Sequence, residues 1–466
     1  MTYRFSLLVL VGSLFAHGAF APSALAVEAG SEQPEIIYQA FEERFVDITG
    51  RLDELAALGI TTIQISPPQK SLPLTDWWAR YQPLDLEVIE GPLGNENDLR
   101  RLTTAARARG LRVIADVVLN HMADARRYPD LQFPQFSWRD FREPDRRPCI
   151  NNYDDRYQVT HYWLCDYRAQ LPDLDTSSNY VRGVHKRWLQ KLMDLGIDGF
   201  RFDAAKHIEP EYFADVLEVI PARKRAYSYG EVIGRNISES SEYSGMMRLS
   251  DFHLLGTMIG SFSPGGDLRR LNNPQNSGGA LPGDIAVTMS RNHDTVMNDY
   301  FFQFSDYKDA LLAYGVILAR KDGTPLIFNA DLDSDIVRAG MQFRKRMAGQ
   351  PEYIRNGSEV CGGSNARLGA ASISCDNPNL LFIERGGNGV AIINKSAEWL
   401  DASTARFPGL ESGCYRELRY GFDVEISRGG DGNNWVSAWG SRARGGLNVG
   451  PRSALFLVKT SRDGCF

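Results

Sequence analysis

Between residues 36 and 330 the chain alternates between two periodicities, and this alternation limits its possible folds more than any other feature. Short β-branched or apolar runs stand at 36–40, 60–66, 111–121, 197–203, 226–233, 284–290 and 324–330. Between them lie segments whose apolar residues recur three and four apart, the spacing of one helix face. "TGRLDELAALG" (49–59) shows this well, with Leu52, Leu55 and Leu58 on one stripe and Gly59 as a stop signal. "DFHLL" (251–255) is a weaker strand candidate that brings the set to eight. Strands alternating with helices argue a parallel sheet, and eight such units argue a closed (β/α)8 TIM barrel.

Two stretches break the rhythm. Residues 122–176 are rich in Pro, Asp, Arg and aromatics and exceed any ordinary strand-to-helix loop. They read as a subdomain inserted after strand three. From 376 to 466 the texture becomes short strands such as "SALFLVKT", separated by Gly, Asn and Ser turns, which argues a C-terminal antiparallel β domain. The barrel then occupies 27–121 and 177–375. Residues 1–26 combine Arg4, an apolar run from Leu7 and the small-x-small pattern Ala24-Leu25-Ala26, a secretory signal peptide. No later stretch is long and apolar enough to span a bilayer. The expectation is a secreted protein, extracellular or periplasmic, with no membrane partner once the signal is removed.

The six cysteines suit an oxidising compartment. Sequence neighbours suggest Cys149–Cys165, Cys361–Cys375 and Cys414–Cys465, one of fifteen pairings open to six cysteines. No Cys/His spacing suggests zinc. The formal net charge is −6 and no basic run stands out, which argues against nucleic acid as a partner. Eight tryptophans and nineteen tyrosines offer platforms for flat, weakly polar ligands such as sugar rings.

In a barrel of this kind chemistry sits at the C-terminal ends of the strands. Strand three ends at Asn120 and His121. Strand four ends in "GFRFDAAKH" (199–207), strand five in Glu231, and strand seven in Asn292-His293-Asp294. Converging carboxylates repel and cost stability, so a structural role accounts poorly for the set. Breaking a glycosidic bond uses two such groups, one ionised at the anomeric carbon and one that donates a proton to the leaving oxygen. Arg201, two residues from Asp203 on the same strand face, favours ionisation of Asp203. Glu231, among Tyr229, Val232 and Ile233, has the apolar setting that raises the pKa of a general acid.

In this order and spacing, "DVVLNH" (116–121), "GFRFDAAKH", "GEVI" (230–233) and "SRNHDT" (290–295) resemble the four signature regions of the α-amylase family of glycoside hydrolases. "LPDLD" (171–175) resembles a fifth. "WWARYQPLD" (77–85) and "SESSEYSG" (238–245) are similar in particular to animal-type α-amylases and their bacterial relatives. The resemblance implies Asp203 as nucleophile, Glu231 as acid/base and Asp294 as the carboxylate that distorts and stabilises the sugar. It implies sugar contacts from Trp77, Trp78, Tyr81, Gln82, His121, Arg201, Lys206, His207 and His293, with core packing an equal alternative for Trp77. It also implies calcium between barrel and insertion, held by side chains of Asn120 and Asp173 and backbone carbonyls of Thr160 and His207. Hard oxygen donors of this kind suit calcium. Animal-type relatives often bind chloride. Arg201 and Asn292 match two of its three ligand positions, but the third falls near Leu326, where no cation stands, so chloride is not expected.

The resulting expectation is a monomeric, retaining, endo-acting α-amylase that cleaves α-1,4-glucans such as starch. One rival is another α-glucan activity of the same family, a maltooligosaccharide-forming hydrolase or a transglycosylase, separable by its product profile. The other is a non-catalytic glucan-binding protein, which should lack one of the three carboxylates.

Overall fold

The computed structural model describes residues 34–465 except 125–126, 129, 167–168, 298–301, 356–376, 403–404, 406, 429–433, 437–446 and 462–464. The segment read as a signal peptide and the Cys361–Cys375 pairing lie outside the described residues.

Eight parallel strands close into a barrel: β1 (Ile37–Ala40), β2 (Thr62–Ile65), β3 (Arg112–Val117), β4 (Gly199–Phe202), β5 (Tyr229–Gly230), β6 (Arg248–Ser250), β7 (Ala286–Met289) and β8 (Thr324–Phe328). Closure comes from β1, which pairs with β2 on one side and β8 on the other. All four residues of β1, β2, β4 and β7 are buried. Alternate side chains fill the barrel interior and meet the surrounding helices, so these strands read as unbroken runs rather than alternating ones.

"DFHLL" is not a strand. The sixth strand lies just before it, and Asp251 instead caps the helix Phe252–Phe262, its carboxylate accepting the Leu254 N–H at 2.9 Å. A capping aspartate ahead of an apolar run is a helix start. The fifth strand is also shorter than its apolar run, because the chain turns away at Glu231.

Residues 122–176 lie between β3 and the helix Asn179–Asp194. They carry a short helix, Arg156–His161, and a small hairpin, Leu164–Cys165 with Gln170–Leu171. Cys149–Cys165 is bonded, with Cα atoms 5.5 Å apart, and so is Cys414–Cys465, at 5.0 Å.

The C-terminal part is a seven-stranded sheet joined by antiparallel pairings. It takes in Glu352–Arg355, which precedes the expected boundary at 376 and pairs with Leu380–Arg385. All six residues of Leu380–Arg385 are buried, because the two faces serve different cores. Leu381 and Ile383 join the barrel core, while Leu380 and Phe382 join a second cluster with Phe407 and Tyr415. The helix Tyr307–Ala319 lies between barrel and sheet, and its last ten residues except Leu311 are buried. This explains a helix that is apolar on nearly every side.

Among the described residues no helix is long and apolar enough to cross a membrane.

On the helix Asn179–Asp194, His185 is fully buried. Its Nδ1 meets the Tyr212 hydroxyl at 2.7 Å and its Nε2 has no partner. Burial pushes its pKa down to about 3. The folded-state value is depressed, so this stability is present above the unfolded value and is lost as pH falls from roughly 6.5. Between pH 7 and pH 4.5, His185 costs the fold on the order of 2–3 kcal/mol. His185→Gln, which keeps a partner for Tyr212, should flatten the acid limb of urea-unfolding stability by that amount. Identical acid limbs would contradict the assignment.

Candidate active site

The C-terminal ends of the barrel strands open into a cleft of about 770 Å³. Its lining includes Trp77, Trp78, Tyr81, Gln82, His121, Asp203, Lys206, His207, Glu231, His293 and Asp294. Every side chain predicted for catalysis or sugar contact therefore faces one space, except Arg201, which lies beneath it.

Arg201 organises the floor. It is 3% exposed. One guanidinium arm, Nη1, donates to Asp203 Oδ1 at 2.8 Å and to both oxygens of Asp116 at 2.8 and 2.9 Å. The other arm, Nη2, pairs with Glu231 Oε1 at 2.6 Å. The sequence reading paired Arg201 with Asp203 among the carboxylates, and enclosed Glu231 in apolar neighbours. Val232 is buried and Ile233 lines the cleft, yet Glu231 is also ion-paired and accepts the Ala204 N–H at 3.0 Å. Ala204 has φ of 48°, a left-handed conformation costly for a non-glycine residue. That turn carries the N–H toward Glu231.

Asp116 is the residue that sequence reasoning passed over. It is completely buried and accepts the Tyr81 hydroxyl at 2.9 Å. Its position at the head of "DVVLNH", on the same strand as Asn120 and His121, was the available signal. Burial raises the pKa of Asp116 and of Asp203, and in both cases Arg201 opposes the rise. Arg201 thus favours ionisation of Asp203, as its place on the strand suggests, but burial outweighs it. Asp294 is pushed well above the carboxylate range, first by burial and then by the charge of Glu231.

The histidines are neutral. Burial brings His121 and His207 down to about 4 and His293 well below its usual value. His121 meets the Tyr81 carbonyl through Nε2 at 3.0 Å, and its buried Nδ1 has no partner. His207 Nδ1 donates to the Val159 carbonyl of the insertion at 2.9 Å. Gln39, also unforeseen, meets His293 Nδ1 at 3.0 Å, while His293 Nε2 lies 3.4 Å from Asp294. Tyr81 stacks on His293 with ring centres 5.0 Å apart. Trp77 both lines the cleft and packs against Phe41 and His293. Tyr153, Asp166, Arg235 and Phe302 also line the cleft and had no distinct sequence signal.

Beside the cleft, the backbone bridge between His121 and Asp173 brings strand three and the insertion together. Both side-chain polar atoms of Asn120 are buried without a partner. Asp173 is buried, has its pKa raised far by that burial, and meets Arg142 only at 3.4 Å. The buried Asn120 Oδ1 next to the buried Asp173 carboxylate fits a hard cation such as calcium. His207 would contribute its carbonyl, while its ring Nδ1 is engaged by the Val159 carbonyl. Among the described residues no group of three or more His, Cys, Asp or Glu side chains is arranged to hold a metal. Leu326, near which the third chloride-ligand position was expected, is buried, and Asn292 Oδ1 caps the following turn by accepting the Thr295 N–H.

A family model described as "Alpha amylase, catalytic domain" matches residues 45–248. The alpha-amylase of Aeromonas hydrophila is 32% identical over 430 residues, covering 83% of this chain and 89% of the relative. The pancreatic alpha-amylase of Sus scrofa is 31% identical over 294 residues, covering 55% of this chain and 56% of its own length. Among solved structures, a substituted alpha-amylase I of Eisenia fetida in complex with maltohexaose superposes with a TM-score of 0.72. It is 21% identical and covers 92% of this chain and 98% of its own.

Replacing Arg201 with methionine removes the cation that these buried carboxylates share. The folded-state pKa values of Asp116 and Asp203 then rise further above the unfolded value, so the folded state binds more protons and stability falls as pH climbs. Arg201→Met should cost about 3–5 kcal/mol at pH 8 and clearly less at pH 5, by urea unfolding. A loss independent of pH would show that Arg201 acts through packing alone.

Proposed function

The chain belongs to the α-amylase family of glycoside hydrolases, and from that premise we propose that it is a secreted, retaining, endo-acting α-amylase that cleaves the α-1,4 bonds of starch-type glucans. One observation carries the reading: the two arms of a single buried guanidinium hold Asp203 and Glu231 side by side on the floor of the cleft. Asp203 attacks the anomeric carbon as Glu231 gives its proton to the glycosidic oxygen. The carbon–oxygen bond to the leaving sugar breaks and a glycosyl ester forms on Asp203. Glu231, now a carboxylate, takes a proton from water, whose oxygen attacks the same carbon and releases Asp203. Ion pairing to Arg201 favours the ionised state that Asp203 needs for attack. Asp294, raised in pKa, is able to donate a hydrogen bond to a sugar hydroxyl. His121, His207 and His293, all neutral, suit the same task without adding charge.

Flat aromatic faces of Trp78 and Tyr81 suit stacking against sugar rings, and Lys206 suits the leaving side of the cleft. The two disulfides and the signal-like N-terminal sequence support export. Calcium, held by Asn120, Asp173 and the carbonyls of Thr160 and His207, would clamp the insertion to strand three. The buried leucine at 326 supports activity without chloride, since a buried anion needs compensating charge.

The first test is stereochemical. Proton NMR of the earliest products from maltoheptaose should show the α-anomer, and viscosity of soluble starch should fall ahead of reducing-end release. Asp203→Asn should fold normally and lose roughly 10³-fold or more in kcat, because an amide cannot form the ester. An initial β-anomer, or substantial turnover by a folded Asp203→Asn protein, would overturn the assignment.

The metal is tested separately. Chelation should lower the melting temperature and excess calcium restore it, since a ligand bound only by the folded state stabilises by mass action. Asp173→Ala should have the lowered melting temperature without chelator and gain nothing from added calcium. A melting temperature indifferent to chelator would remove calcium from the account.

A further inference from the structure

The Cys149–Cys165 disulfide lies at the substrate cleft rather than in the barrel core. Cys165 lines the cleft, and so do Leu164, Asp166, Ala169 and Leu171 from the same hairpin. The hairpin has only two residues in each strand, with Leu164 opposite Leu171 and Cys165 opposite Gln170. All four are only partly buried, so no core holds them. A two-stranded hairpin of this size is not stable by itself in water.

Its ends are tied. On one side buried Trp163 donates its ring N–H to the Arg142 carbonyl at 2.9 Å, and its backbone bridges Cys149. On the other, Gln170 N–H donates to the Asp124 carboxylate at 3.0 Å, and Met122 N–H to the Pro172 carbonyl at 3.2 Å. The disulfide adds a covalent tie within the first strand. The loop it closes also carries Tyr153, which lines the cleft with its ring 6.1 Å from that of His207. Asp154 of the same loop accepts from Arg235, another lining residue, at 3.1 Å.

From this placement we infer that Cys149–Cys165 is a positioning element for the substrate, holding the paired segments Leu164–Cys165 and Gln170–Leu171 as a preformed wall of the glucan cleft. The inference rests on the α-glucan reading above. Sulfur, Leu164 and Leu171 present apolar surface of the kind that packs on the less polar faces of sugar rings. A wall ordered in advance spares the complex the entropy of ordering it, so the benefit falls on affinity. The reacting carboxylates stand on barrel strand ends and keep their geometry without it.

The test is a Cys149→Ala/Cys165→Ala double variant of the full chain, with maltoheptaose as probe. KM should rise about tenfold with kcat changed by less than about threefold, the signature of lost uniform binding. The dissociation constant, measured with Asp203→Asn added so that the probe is not consumed, should rise equally. Amide exchange should quicken across 164–171 and not in the barrel strands. Leu164→Ala/Leu171→Ala, with the disulfide intact, should raise KM in the same direction. Unchanged KM in either variant overturns the inference. A fall confined to kcat, or a double variant that fails to fold, does so too, since the bridge would then serve the chemistry or the fold. Maltoheptaose that binds but is not cleaved by the unaltered protein sinks the proposed hydrolysis and leaves the comparison of dissociation constants decisive. Maltoheptaose that does not bind removes both.

Discussion

Everything in the cleft is arranged around one guanidinium. Arg201 touches Asp116, Asp203 and Glu231, and each of these comes from the end of a different barrel strand or the turn that follows it. Buried carboxylates crowded together repel, and desolvation drives them toward protonation. A buried cation with two arms lets several of them approach without all becoming neutral. The catalytic pair is therefore set as much by Asp116 and Tyr81, which fix the guanidinium from below, as by its own backbone. Removing any member changes the charge felt by the rest, so single substitutions here will not add.

The scaffold contributes rigidity where the chemistry needs it. Parallel strands buried on both faces leave little freedom in their last residues, and the left-handed turn at Ala204 converts the end of β4 into a donor for Glu231. On the rim, the insertion reaches back to the barrel through His207 and through the bridge from His121 to Asp173. Cleft wall and cleft floor are thus joined by backbone contacts that do not depend on substrate.

Much of this was legible in the sequence. Strand ends carrying Asn120, Asp203, Glu231 and Asp294 stood out because polar and charged groups at the end of an apolar run are costly without a purpose. The double burial of Leu380–Arg385 was legible only as a strand, since the two cores it serves are formed by residues far away in the chain. "DFHLL" misled because its apolar run outweighed the cap at Asp251. Asp116 and Gln39 escaped notice because their partners, Arg201 and His293, are 85 and 254 residues away. Ala204 could not be read at all: nothing in alanine announces a positive φ. The sign of the Asp203 shift required the burial itself, which spacing does not report.

The position of the helix Tyr307–Ala319 bears on how the chain comes to be folded. Its apolar sides are covered by the barrel on one side and by strands from beyond residue 380 on the other. Barrel closure likewise waits for β8 to reach β1, nearly three hundred residues upstream. A nascent chain emerging from its N-terminus thus cannot close the barrel before β8 is made, nor cover this helix before strands beyond residue 380 exist. Such long-range contacts slow folding and leave apolar surface exposed meanwhile. The two parts are separate in architecture but form a single cooperative unit in synthesis, and a chain cut between them would lose the cover over its last barrel helices.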